Sequence, residues 1–122
     1  MSSDFKENFN KRVYNYAVNV VKFIKKLPND PNTQILARQL LRSGTSVTAN
    51  IIEAQAASSK KDYINFYLHA LKSANETTLW FNLLKDTLDK APVGIELMIN
   101  ETIEISKILG SSVITMKKSL QK

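Results

Sequence analysis

The sequence predicts an all-α protein, an antiparallel up-down-up-down four-helix bundle. Apolar residues recur at intervals of three and four over most of the 122 residues, the spacing that keeps side chains on one face of a helix of ~3.6 residues per turn. The rhythm breaks in three short places rich in Pro, Gly, Ser or Asp, at 27–31, 58–62 and 90–94. No stretch keeps the strict alternation of a half-buried strand. Long helices with short connections pack antiparallel to their neighbours in sequence.

The first helix is expected over about 5–27, where Phe9, Val13, Tyr16, Val20, Phe23 and Leu27 form one stripe. Leu27-Pro28-Asn29-Asp30-Pro31 ends it and starts the second helix, about 31–57, with Asp30 as N-cap and Pro31 at the first helical position, where its missing N–H costs nothing. Ser59 with Asp62 three residues later resembles a capping box and opens the third helix, about 59–89. Pro92 and Gly94 break that helix. Ile95, Met98, Thr102, Ile105, Leu109, Ser112, Met116 and Leu120 then carry a fourth, about 94–120, in which Gly110 weakens the helix by about 1 kcal/mol against Ala without ending it. The third helix has two apolar stripes, Tyr63, Phe66, Tyr67, Ala70, Ala74, Phe81 and Leu88, and beside it Ile64, Leu68, Leu71, Leu79 and Leu83. Coverage that wide calls for burial on two sides, and the expectation is a homo-oligomer.

Composition narrows the function. The length suits a single domain over 1–122 with one core. With no cysteine there is no disulfide framework, thiolate metal site or thiol catalysis. Basic residues throughout 1–27 do not resemble a signal peptide, and no stretch approaches the ~20 apolar residues of a membrane span, so a cytoplasmic protein with no membrane partner is expected. The net charge of +6 lies in the first half: ten Lys or Arg against four acids up to Lys61, 10 − 4 = +6, and seven of each after it. Such an imbalance suits an anionic partner, nucleic acid first.

Residues 42–61, RSGTSVTANIIEAQAASSKK, contain the least ordinary stretch. Gly44-Thr45-Ser46-Val47-Thr48 falls one residue short of the G-x-S-x-G nucleophile elbow, but that motif needs a strand-to-helix turn and a His with an acid partner. Here the setting is helix interior and the only histidine is His69, so no catalytic residue is assigned. A di-iron bundle needs two Glu-x-x-His pairs, which one histidine cannot supply, so no metal and no cofactor is expected. Asn75-Glu76-Thr77 and Asn100-Glu101-Thr102 match the glycosylation sequon by chance. Ser43, Gly44, Val47, Ile51 and Ala54 instead put small side chains on one helical face, which allows close helix approach. Asn50 and Glu53, one turn apart, are expected to join a polar network there.

Arg42-Ser43-Gly44-Thr45-Ser46-Val47, Ala49-Asn50-Ile51, Glu53-Ala54, Ser59-Lys60-Lys61-Asp62-Tyr63-Ile64, Ala70-Leu71-Lys72, Ala74-Asn75-Glu76-Thr77 and Trp80-Phe81-Asn82-Leu83-Leu84 together resemble the four-helix bundle family of 23S rRNA-intervening-sequence proteins, in order and spacing from about Val13 to Leu88. Relatives often carry Gly at the position of Thr48. The resemblance implies a bundle assembled into a ring, usually a homopentamer, with no catalytic residues. A related branch is the accessory variability protein of diversity-generating retroelements, which works with a reverse transcriptase and nucleic acid. Five copies would carry 5 × 6 = +30. The function expected is therefore non-enzymatic binding of RNA or an RNA–DNA intermediate, with little sequence specificity, through Lys11, Arg12, Lys22, Lys25 and Lys26 on the first helix, Arg38 and Arg42 on the second, and Lys60 and Lys61 at the start of the third. The alternative is a protein-interaction scaffold that docks a partner such as a reverse transcriptase, its charge incidental.

Overall fold

A computed structural model describes residues 3–121, and all the regular structure among them is helical. Four long helices follow one another: α1 (Ser3–Lys25), α2 (Pro31–Glu53), α3 (Lys60–Thr87) and α4 (Ile95–Leu120). Paired side chains fix their directions. Ser43 meets Thr77 and Ser46 meets Ser73, so α2 and α3 run antiparallel; Lys85 meets Glu96 and Lys60 meets Ser119, so α3 and α4 do too. Phe9 packs on Tyr67 and Phe23 on Phe81, which sets α1 parallel to α3 across the diagonal. Among the described residues no helix is long and apolar enough to cross a membrane.

Each boundary has a local cause. Asp30 caps α2 with an extended backbone, and its carboxylate accepts from the Thr33 N–H at 3.1 Å. α2 stops at Glu53, short of the expected 57, because Ala54–Ala56 tighten into a 3-10 turn before Ala57 swings to an extended conformation. That extension positions Ser59, whose hydroxyl accepts from the Asp62 N–H at 3.0 Å. The Asp62 carboxylate reaches back one residue beyond the N-cap, to the backbone N–H and the hydroxyl of Ser58. α1 and α3 each end two residues before the expected limit, α1 in a turn and α3 where Leu88 turns extended. Gly94 caps α4 at φ 85°, a left-handed conformation that costs glycine little.

Hydrogen bonds from Thr33 hold the Asp30 carboxyl below its ordinary range. Because the folded value lies below the unfolded one, the cap's stabilisation is present above the usual 3.8 and lost as pH falls through the lowered value. Asp30→Ala is expected to lower the urea midpoint at neutral pH, with the gap to the parent protein closing on acidification below 3.8. A gap that stays constant into strong acid would mean that the carboxylate charge does not stabilise the cap.

The core follows the predicted stripes closely. Phe9, Val13, Tyr16, Val20 and Phe23 are buried on α1, and Leu27 is buried just beyond its end. On α4 the stripe holds from Ile95 to Met116 with Ile99 and Val113 added, whereas Met98 is only partly covered and Leu120 is exposed. The second stripe of α3 divides: Ile64 is buried, Leu71 and Leu83 are half-buried, and Leu68 and Leu79 face outward. α1 and α4 meet through long side chains. The Tyr16 hydroxyl lies 2.6 Å from Thr102 Oγ1, and since Thr102 gives its own proton to the Met98 carbonyl, Tyr16 is the donor. Burial pushes the Tyr16 phenol well above its ordinary range, so it stays neutral and keeps that proton.

Candidate nucleic-acid interface

The nine basic residues expected to contact nucleic acid do not form one surface. Antiparallel helices place Lys22, Lys25 and Lys26 at the end of the bundle where α1 finishes and α2 begins, and Lys60 and Lys61 at the opposite end. Lys11 and Arg12 lie midway along α1, and Arg38 and Arg42 within α2.

Two of the nine, both arginines, are held by carboxylates on other helices. Arg12 makes a bidentate pair with Glu101 on α4, Nε to Oε2 at 2.8 Å and Nη2 to Oε1 at 2.7 Å, and that hydrogen bonding raises its pKa above the usual value. Arg42 is held by Gln39 on its own helix and by Glu76 on α3, whose carboxylate also accepts from Trp80 Nε1. Lys11 sits 3.6 Å from Glu7 in an exposed pair one turn apart, which contributes little.

A basic cluster lies where α1 and α3 start and α2 and α4 finish. A groove of about 760 Å³ opens there between Lys6, Ser59, Lys60 and Ser119, over a floor that includes Ala54, Tyr63 and Met116. Lys60 donates to the Ser119 hydroxyl, and the Lys6 ammonium stands 4.9 Å from the centre of the Tyr63 ring. Lys61 follows on α3, and Lys117 and Lys118 are exposed in the last turn of α4. Five lysines thus share one end with the exposed acids Asp4, Glu7 and Glu53, while the nearby Asp62 carboxylate is turned to its cap. Counting charge by halves of the chain includes Lys6, which is not among the expected contacts, and passes over Lys117 and Lys118. The available signal was helix direction, since an antiparallel bundle sets the finish of α4 beside the start of α3.

The small-residue stretch faces two neighbours. Gly44 lies against α1, where an added Cβ would stand 3.0 Å from Val20 Cγ1. Ser43, fully buried, meets Thr77 on α3 at 2.8 Å, and Val47 is buried beside it in sequence register. Thr48 donates its hydroxyl to the Val13 carbonyl at 2.6 Å, an added clasp between α1 and α2 that a glycine could not make.

The expected Asn50–Glu53 network is not formed. Asn50 turns back to the Ser46 carbonyl and hydroxyl, and Glu53, the last residue of α2, is exposed. Its side chain faces solvent because it lies on the outward face of α2, with Ala49 and Ile52, while the inward face carries Val47, Ile51 and Ala54. The network that does form joins Asn50, Ser46 and Ser73. It borders a cleft between α2 and α3 lined by Arg42, Ser46 and Asn50 on one side and by His69, Lys72, Ser73 and Glu76 on the other. Ser46 and His69 share this cleft, yet the hydrogen bonds of Ser46 Oγ run to Asn50 and Ser73 rather than to the imidazole.

The family model described as 23S rRNA-intervening sequence protein matches residues 7–111, so the match runs well into α4. A crystal structure of a protein of unknown function from the S23 ribosomal protein family, from Bacteroides thetaiotaomicron, is 38% identical, with a TM-score of 0.80 over 88% of this chain and 96% of that one. No curated protein matches the chain.

Proposed function

The chain belongs to the 23S rRNA-intervening sequence protein family, and from that premise we propose that it is a non-enzymatic homo-oligomer that binds RNA, or an RNA–DNA intermediate, through the lysine-rich end of the bundle. Lys6 and Lys60 line one groove, and Lys61, Lys117 and Lys118 lie at the same end of the bundle; this placement carries the reading. Phosphates neutralised by lysine release condensed counterions, so binding gains free energy with little regard to sequence and loses it as salt rises. The N-terminus of α3 adds its own partial positive charge at Lys60 and Lys61. Cations there oppose the helix dipole, which is unhelpful to the helix but suits a phosphate.

Self-association is supported by the apolar side chains that one copy leaves uncovered. Leu79 is 51% exposed and Leu68 is also outward-facing, on the same α3 stripe, and Tyr14 is 62% exposed on α1. A ring of five, as the family resemblance implies, would set five lysine-rich ends side by side.

Light scattering is expected to give an oligomer mass, and fluorescence anisotropy with a short structured RNA should show binding at low salt and release at high salt. Lys60→Glu/Lys61→Glu should weaken low-salt affinity about tenfold or more and flatten the log–log salt slope by roughly 0.7 for each lost single-strand contact, or about 0.9 on a duplex. Unchanged affinity and slope in a folded variant would remove this end of the bundle from the interface. An oligomer that ignores RNA at both salts would favour docking of a protein partner such as a reverse transcriptase.

A further inference from the structure

The cleft between α2 and α3 lies midway along the bundle, away from the lysine-rich end. Arg42–Glu76 and Ser46–Ser73 join the two helices across it, while neither helix packing nor the proposed RNA contact uses His69 and Lys72. We propose that this cleft binds a terminal phosphate group, that of a phosphate monoester or of inorganic phosphate. Its volume, about 400 Å³, is within the range of small-molecule sites.

The side chains that line it supply donors in excess of acceptors. Lys72 is exposed and has no ion-pair partner among the described residues. His69 stands one turn before it on the same helix and is also exposed. Ser46 Oγ accepts from Asn50 Nδ2 at 3.1 Å and from Ser73 Oγ at 3.1 Å, which leaves its own proton with no acceptor among the described residues. Reversing the serine–serine bond only moves the spare proton to Ser73, so one hydroxyl of the pair is free to donate into the cleft either way.

The one carboxylate on the lining, Glu76, is occupied by Arg42 and Trp80. That pair cancels its charge and fixes the guanidinium at the rim. An unpaired ammonium, an imidazole and a hydroxyl donor therefore line an open cleft that has no free carboxylate. The anionic oxygens of a phosphate accept hydrogen bonds and match that set, and charge-assisted bonds of this kind are the stronger ones.

His69 is the only histidine, so its ring protons report on this cleft alone. Proton NMR should show a saturable movement of those resonances with inorganic phosphate, and none with chloride at matched ionic strength. Adenosine 5′-monophosphate moving them more tightly than phosphate would place the source in a nucleotide, and the reverse order would place it in free phosphate. Lys72→Gln and Ser46→Ala should each weaken the response about tenfold, while Lys60→Glu/Lys61→Glu leaves it unchanged. That last variant separates the cleft from the RNA reading, whose failure would not move these resonances. The proposal is overturned if phosphate and the monophosphate leave His69 unmoved at millimolar concentration, if both cleft variants respond like the parent, or if only an oligonucleotide without terminal phosphates produces the shift.

Discussion

Phe81→Ala is expected to cost about 3–5 kcal/mol of folding stability, read from urea or thermal unfolding. Phe81 is fully buried on α3, and its ring meets Phe23 of α1 edge to face, with centroids 5.4 Å apart and planes at 73°. Truncation removes the transfer free energy of the ring and the aromatic contact, and it leaves a cavity in the core to which the fully buried Leu40 and Leu84 also belong. A protein of this size is stable by only about 5–15 kcal/mol in total. The variant should therefore melt on the order of 10–20 °C lower. A loss below about 1.5 kcal/mol would mean that the helices close over the gap, and the diagonal α1–α3 contact would then not hold the bundle together.

Gly44→Leu is expected to destabilise by about 3 kcal/mol through overpacking. The first atom of any side chain at this position stands 3.0 Å from one Val20 methyl and 3.3 Å from the other. Val20 is fully buried and branched at Cβ, so it has no alternative rotamer to retreat into. α2 would have to move off α1, which would also break the bond from Thr48 to the Val13 carbonyl. Gly44→Ala sets a smaller collision against a helix-propensity gain of about 1 kcal/mol, and should come out near neutral. Gly110 makes the contrast: nothing lies within 4 Å of an added Cβ there, so Gly110→Ala should stabilise by about 0.5–1 kcal/mol. If Gly44→Leu costs no more than Gly44→Ala, or if Val20→Ala fails to relieve it, the close approach of α1 and α2 at this point is wrong.

What the sequence determined by itself was inward and outward. The interval of three and four residues decides which side of a helix faces the core, and it did so for Phe9 through Phe23 and for Ile95 through Met116 with few exceptions. Caps are equally local: Asp30 and Ser59 bond backbone groups three residues away, so a short window contains the whole interaction. The proposed binding surfaces were not legible in the same way, because their members are far apart in the chain. Lys60 reaches Ser119 and Arg12 reaches Glu101 across 59 and 89 residues, and no periodicity states which distant residue will stand opposite. Only the antiparallel reversal of successive helices decided that Lys6, Lys60 and Lys118 share an end, that Lys22 and Lys26 lie at the other, and that His69 and Lys72 face Ser46 across a cleft. Helical phase is set by bonds between near neighbours, whereas a site built from two or more helices is set by how those helices pack.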